Sequence, residues 1–599
     1  MFIKRTRRTH KDKTYDSYLL VESVATPKGP RHKVICSLGS LAPAPKEEWV
    51  ALAHRMQGAL AGQTALFPEA AVEAVVDKHA KVRRGQTSAE MISVDPERIE
   101  VEQVREAGPV HAGHQIWKKL ELDAVLEAVG LKAPARLLTE VMVLNRLIAP
   151  ASEHAMPNWI ARSAMADILG ADLTELNDDR LYRHLDRLYP LREKIEAALV
   201  ERERTLFNLG ETLYLYDLTS TYFEGQARAN PKAKRGYSRD HRPDCKQVVV
   251  GLVLDQEGFP KAHEVFEGNL LDHQSVSGML DRLEARVGKR QGATVVVDRG
   301  MAVKQTLAMI QARGYHYLVA GRPAERLAYL EEFEDEAGWE EVIRQPSPTN
   351  PGQKKTAIAL KRCVAEAEVH VLCKSAERVD KDQAIRESHE KRLLADLKKL
   401  ALRVRKGQLT GDKVHEAIGR LKERYPRVAR YYEMRYDPQH SELIARENQA
   451  AKEKAKRLDG GYLIRTDRTD IPAQEMWSFY MLLTRVENAF RDMKGPLMER
   501  PIFHHLEPRV ETHIFLCVLA YHLLVCIERR FLDAGGHTSW EALRDALSTH
   551  QVVTIVLPTD QGETLKIRKG STPESSHQEI YRILNIPELV MKPIKTWVR

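Results

Sequence analysis

Near residue 212 the spacing of apolar residues changes, and that change restricts the fold more than any other feature of the chain. Upstream, from about 113 to 208, apolar residues recur at helical intervals, as in Ala135–Leu147 and Asp178–Leu209. Downstream the runs are short and rich in β-branched and aromatic residues. Leu213-Tyr214-Leu215-Tyr216 leads to Asp217, and Gln247–Leu254 is rich in valine. Asp255-Gln256-Glu257-Gly258 is a turn signal, and Phe259–Phe266 reads as the returning strand. A helical segment then closes at Gly288–Gly292, and Thr294-Val295-Val296-Val297 leads to Asp298. A helix over Val303–Arg313 precedes a last strand, Tyr315–Ala320. Hairpins followed by β-α-β crossovers specify a mixed α/β sheet.

The pattern is interrupted from Arg322 to about 473 by β-like pieces (Lys355–Cys363, Val369–Cys373), a charged helical pair (Asp382–Lys406, Asp412–Arg424) and a strand near Gly460–Ile464. Helices then resume, with an apolar helix over 508–531 and a hairpin around Asp560-Gln561-Gly562. At the other end, Tyr15–Val24 and His32–Leu38 flank Pro27-Lys28-Gly29-Pro30 as a hairpin, and 46–82 reads as helical. Residues 87–112 have no clear period and read as a link. The expected units are 1–112 (hairpin, helices and a basic arm), 113–208 (helical, for DNA binding or dimerisation), 209–325 (first part of the core), 326–472 (insertion domain), 473–535 (second part of the core) and 536–599.

A chain of 599 residues with 43% hydrophobic content can bury at least one large core. Cys36, Cys245, Cys363, Cys373, Cys517 and Cys526 form no C-x-x-C pair, which argues against a zinc ribbon or disulfide framework and for a reducing cytoplasm. The basic N-terminus lacks an apolar leader. The apolar stretch Ile514–Ile527 carries His522 and is short for a membrane span of ~20 residues, so it reads as a buried core helix. A cytoplasmic protein, associated with the nucleoid when bound to DNA, is expected. No G-x4-G-K-[ST] phosphate loop is found, so a nucleotide-driven machine is not expected. The net charge of +8 says less than its distribution. Lys4, Arg5, Arg7, Arg8, Lys11 and Lys13 form a basic arm suited to DNA phosphates, although a solvated tail would have the same composition.

Asp217 and Asp298 each follow an apolar strand, where α/β sheets place ligand groups. Singly, each is an ordinary strand-terminating Asp or helix cap. On adjacent strands the two carboxylates repel unless a cation neutralises them, and a hard ion such as Mg²⁺ prefers such oxygen ligands. Read as one helix, Tyr480 to Lys494 puts Phe479, Leu482, Val486, Ala489, Phe490 and Met493 on one stripe. Tyr480, Glu487, Arg491 and Lys494 share another face. A lone Glu on such a face is usually just part of a surface i,i+4 pair. Tyr, Arg and Lys beside it suit phosphate binding next to a metal.

Together these residues resemble the DDE transposases of bacterial insertion sequences, in the IS-four superfamily. Tyr480, Glu487 and Lys494 match the family signature Y-x2-R-x3-E-x6-K, while Leu483 occupies the Arg position. Arg485 is near but points elsewhere on a helix, and Arg491 lies a turn beyond Glu487. Asp217-Leu218-Thr219-Ser220-Thr221-Tyr222-Phe223-Glu224-Gly225, Glu267-Gly268-Asn269 with Asp272, Asp298-Arg299-Gly300-Met301 and Arg500-Pro501-Ile502-Phe503-His504 resemble one branch of the group. The resemblance spans roughly 120–535.

It implies a ribonuclease H-like catalytic domain with an insertion between the second Asp and the Glu. Asp217, Asp298 and Glu487 would be catalytic and would hold two Mg²⁺ ions, with Mn²⁺ able to substitute. Asp217 would bridge both ions, which stabilise the attacking and leaving oxygens of an in-line displacement. Water would free a 3′-OH at the element end, and that 3′-OH would attack target DNA. Tyr480, Arg491, Lys494, Arg299 and the arm residues Lys4, Arg5, Arg7 and Arg8 would contact DNA. The insert cations Lys391, Arg392, Lys398, Lys399, Arg403, Arg405 and Lys406 are either further DNA contacts or plain solvated surface. The expected partners are the terminal inverted repeats, the target duplex and a second copy of the chain. The alternatives are a ribonuclease H-like DNA nuclease without strand transfer and a non-catalytic DNA-binding descendant.

Overall fold

The computed structural model describes residues 1–599 apart from 11–12, 27–28, 40–45, 61–62, 66–69, 80–81, 85–91, 208–211, 345–354, 366–367, 410 and 599. Lys11, the Pro27-Lys28 part of the expected turn and the start of the 87–112 stretch lie outside the described residues.

The core sheet begins with β1 (Leu213–Tyr222), β2 (Gln247–Asp255) and β3 (Pro260–Glu267), an antiparallel meander. Helix α1 (Asp272–Val287) crosses to β4 (Thr294–Val297), and α2 (Lys304–Ala312) crosses to β5 (His316–Ala320). β4 runs parallel to β1, and β5 runs parallel to β4. The strand order β3-β2-β1-β4-β5 is that of a ribonuclease H-like sheet, as the resemblance implied.

Alternation along the strands divides the sheet's two faces. Tyr214, Tyr216, Leu218, Val249 and Val253 pack under α1 and α2, against Val276, Met279, Leu283, Leu307 and Ile310. Leu213, Leu215, Val250 and Leu252 face the other way, into the cluster that contains Phe515, Leu519 and Leu523. β2 is buried along its whole length, which explains why it reads as a continuous Val/Leu run rather than an alternating one.

The segment expected as a separate insertion domain is partly a continuation of the sheet. β6 (Glu340–Arg344), β7 (Thr356–Ala365), β8 (Glu368–Ser375) and β9 (Gly461–Thr466) extend it in the order β5-β9-β8-β7-β6. Helices α3 (Ala376–Arg405) and α4 (Asp412–Arg424) close a small core of their own through Leu393, Leu397, Leu400, Val414 and Ile418.

Beyond the insertion, α5 (Ala473–Met481) and α6 (Thr484–Lys494) replace the single helix expected over Tyr480–Lys494. They are followed by α7 (Glu507–Asp533). With 27 residues α7 is longer than the stretch Ile514–Ile527 suggested, and it is apolar enough to cross a membrane, yet its apolar window is 100% buried inside the fold. It packs against helices Gly108–Lys119, Ala133–Ile148 and Asp178–Leu188 and against β3.

Two further expectations are corrected. The link at 87–112 contains a strand, Glu100–Glu106, which enters a five-stranded sheet with Gln551–Pro558, Thr564–Gly570, Ile594–Val598 and Val82–Arg84. The basic N-terminal arm is a strand, Phe2–His10, paired with Lys13–Thr26, which pairs in turn with Gly29–Gly39. Its charges hid a period-2 pattern in which Ile3 sits opposite Leu20.

Candidate active site

Asp217 was expected at a strand end, but it sits in the middle of β1. Pairing with β2 continues past it to Tyr222 opposite Gln247, carried by Thr219 and Thr221, whose β-branched side chains favour a strand. β4 stops at Val297, opposite Tyr216. Asp298 therefore emerges beside Asp217 on the parallel neighbour. Its Oδ2 accepts from the Gly300 N–H at 3.4 Å and caps the short turn Arg299–Met301. A Cβ at Gly300 would stand 3.1 Å from an Asp272 carboxylate oxygen, so that side chain would have to give slightly.

Glu487 lies in the first turn of α6. Val486, Ala489, Phe490 and Met493 bury one side of that helix, and Glu487 is exposed on another. α6 packs across β1 and β2, which brings Glu487 to the two aspartates. The electrostatics record the convergence. The Asp217 carboxyl is pushed up to about 7, chiefly by burial and further by the negative charges of Asp298 and Glu487. Its own contact with the Leu218 N–H at 2.7 Å and the nearby Arg239 act in the opposite direction. Among the described residues no ion pair reaches any of the three carboxylates. Arg239 is instead paired with Asp272, at 2.8 Å. The chemistry of this set suits a divalent cation, three repelling oxygen donors without an ion-pair partner among the described residues, although their ligand atoms do not all stand within 4.8 Å of one another in this structure.

Tyr480 reaches the site from the end of α5, across the break at Leu482-Leu483. Its phenol is pushed up to about 12, first by burial and then by Asp298, with Glu487 adding and Arg299 opposing. Leu483, in the family's Arg position, is buried at 6% exposure and serves the core. Arg299 and Arg491 are exposed.

Lys494, expected from sequence among the DNA contacts, is engaged within the protein in this structure. Its Nζ donates to the Ser220 carbonyl at 2.6 Å and to Asp240 Oδ1 at 2.8 Å, and Arg500 pairs with the same carboxylate. Burial lowers the Lys494 ammonium, and Asp240 counters that. Lys494 thus ties α6 to β1 and to the 223–246 loop. Nothing in the sequence marks Asp240 and Arg239, which sit in the loop between β1 and β2 and have partners remote in sequence. Gly268 also gains a reason: a Cβ there would collide with the Gln247 carbonyl at 2.0 Å. Lys4, Arg5, Arg7 and Arg8 lie elsewhere, on the separate N-terminal sheet.

Among the described residues, Glu153, His504 and His513 are the group whose ligand atoms lie close enough together to suggest a metal site. The proton inventory argues against one. Arg146 donates to His513 Nδ1 at 3.1 Å, so Nε2 carries the proton it gives to the Glu499 carbonyl at 2.9 Å, and the ring has no free lone pair. With Arg146 3.8 Å from Glu153, the cluster is an ion-pair network that fastens the Arg500–His504 segment to α7.

The sequence matches the transposase DDE domain family over residues 208–523 and the N-terminal domain of the IS1634 transposase family over residues 3–69. No curated protein matches it. Among solved structures it is similar to a piggyBac transposase in a synaptic complex with hairpin DNA, at 8% identity and a TM-score of 0.34, over 77% of this chain and 82% of that one.

Proposed function

Since the chain belongs to the transposase DDE domain family, we propose that Asp217, Asp298 and Glu487 are its catalytic carboxylates. The protein is a transposase of the insertion-sequence type, an enzyme that cuts and joins DNA, and DNA is its partner. Such domains work with divalent metal ions. The three carboxylates are assigned here to two Mg²⁺ ions, with Mn²⁺ as a substitute. One observation carries this reading: the Asp217 carboxyl is pushed up to about 7 beside Asp298 and Glu487, and among the described residues no cationic side chain is paired to any of the three. Bound there, the metal would stabilise charge on the attacking and leaving oxygens of phosphoryl transfer.

The chain's own residues set the geometry. The Leu218 N–H orients Asp217, the Gly300 N–H orients Asp298, and the Lys494–Asp240 tether fixes the helix that carries Glu487. Tyr480 and the exposed Arg299 and Arg491 are assigned to phosphates near the scissile bond, and a homodimer would pair the two terminal inverted repeats.

The test incubates purified protein with linear DNA carrying the element's ends and a supercoiled target, with and without Mg²⁺, beside Asp298→Asn. Metal-dependent cutting and joining by wild type, with an Asp298→Asn protein that binds but does neither, is the expected result. Equal behaviour of the two proteins would remove Asp298 from the site.

A further inference from the structure

The N-terminal three-stranded sheet has two chemically different faces. Ile3, Tyr18, Leu20, Ile35 and Leu38 point inward onto Leu52, Ala53 and Met56 of the helix Lys46–Leu60. The other face carries Phe2, Lys4, Thr6 and Arg8 from the first strand, Tyr15, Ser17, Leu19 and the buried Val21 from the second, and His32 and Val34 from the third. Contacts across this face fix its side-chain directions: Lys4 Nζ lies 3.2 Å from His32 Nδ1, Thr6 Oγ1 lies 3.0 Å from Ser17 Oγ, and the Phe2 and His32 rings meet edge to face at 5.1 Å. Tyr15 is 57% exposed and Val34 is 52% exposed. Among the described residues, none on this face is a carboxylate. The acids of the sheet point elsewhere, Asp16 being paired with Arg5 and Arg7. Lys33 is likewise held by Glu100 at 3.3 Å.

We propose that this outer face is the surface that reads the DNA at the element's ends, lying in the major groove. The inference rests on the transposase reading above and adds to it the element that does the recognition. Three strands at ~4.8 Å spacing are about as wide as the major groove, ~12 Å, which admits β-ribbons. Lys4 and Arg8 meet phosphates, while Thr6, Ser17 and Tyr15 present hydroxyls to base edges. Arg5 and Arg7, expected from sequence as equal members of the arm, are both paired with Asp16.

Full-length protein is titrated by fluorescence anisotropy, over a salt series, onto a duplex copying the element's end and onto a scrambled duplex. Lys4→Ala/Arg8→Ala is expected to bind the end duplex at least ~10-fold more weakly and to lower the salt slope by about 2, one unit for each lost phosphate contact. Tyr15→Ser should shrink the preference for end over scrambled DNA. Lys33→Ala should change neither, and thermal melts should match wild type, since the substituted groups are exposed. Unchanged affinity and slope in Lys4→Ala/Arg8→Ala, or an equal loss in Lys33→Ala, overturns the assignment. Metal-dependent cleavage by wild type is followed in parallel. Cleavage at the ends with unaltered binding by the double variant sinks this inference alone. Face-dependent binding without cleavage sinks the carboxylate assignment and leaves this one standing.

Discussion

Burial and two acidic neighbours set the protonation state of Asp217. Its folded pKa, about 7, lies above the ordinary value of 3.8, so the folded chain prefers it protonated. Without metal, its contribution to stability is fully present below the ordinary pKa and is lost as pH rises through 7. Metal must displace that proton. Affinity for Mg²⁺ or Mn²⁺ is therefore expected to fall ~10-fold per pH unit below 7 and to level off above it. Titrating metal against tryptophan fluorescence from pH 5.5 to 8.5 measures this, and Asp217→Asn should remove the slope along with the binding. Asp240 sets a second prediction. Its side chain is 3% exposed and is shared by Lys494 and Arg500. Asp240→Ala leaves the Lys494 ammonium buried without its carboxylate, at a cost of ~3–5 kcal/mol. Denaturant melts should show this loss, and Lys494→Met in the same protein should recover part of it. If Lys494 were instead a free DNA contact, Asp240→Ala would leave stability unchanged.

At the scale of elements, the helix carrying Glu487 is coupled to the core through a second acidic pair. Asp492 on α6 is pushed up to about 6 by burial. Glu528 on α7 is pushed up to about 7 by burial and by the charge of Asp492. Both values lie above the ordinary ones, so the pair stabilises the packing of α6 on α7 at low pH, and that stability is lost as pH rises through 6 to 7. Glu528→Gln should flatten the pH dependence of the melting temperature in this window and raise it by a few degrees above pH 7. A variant whose profile stays parallel to wild type would refute the coupling.

The same elements mark what could be read in the sequence. β1 to β5, α1 and α2 were legible in order, because strands buried on both faces leave unbroken apolar runs and the intervening helices have their own period. The extent of β1 was not, because Asp217 looks like a terminator when only apolar residues are counted, although Thr219 and Thr221 carry the strand onward. The α5–α6 break was hidden because Leu482 continues a helical stripe, yet Tyr480 still feels the charge of Asp298 from its own helix. Lys494 was legible as a matching residue but not as a tether, since its partner Asp240 is remote in sequence.

At the scale of the whole molecule, the two ends of the chain are joined through the five-stranded sheet. Glu100–Glu106 pairs with Gln551–Pro558, Thr564–Gly570 with Ile594–Val598, and Ile594–Val598 with Val82–Arg84. Met1 and Val598 both pack on the core of the N-terminal sheet, and Lys33 of that sheet meets Glu100. The DNA-reading face assigned above is thus held against the rest of the fold by strands from near the opposite end of the chain. No local pattern in residues 82–106 announces this, because each strand is stable only once its distant partner is in place. The arrangement predicts that recognition and chemistry can be separated. A chain ending at Lys592 lacks Ile594–Val598, which leaves Thr564–Gly570 as an unpaired edge and frees Val82–Arg84. Limited proteolysis followed by mass spectrometry should then release the N-terminal sheet from the truncated protein at protease concentrations that leave the full chain whole. The truncated protein should keep metal binding at Asp217, Asp298 and Glu487, and it should hold end DNA through its N-terminal sheet while cutting it far more slowly. If it cuts as fast as the full chain, the sheet does not position the DNA end over the carboxylates, and the coupling between the two must run through the helices packed on α7.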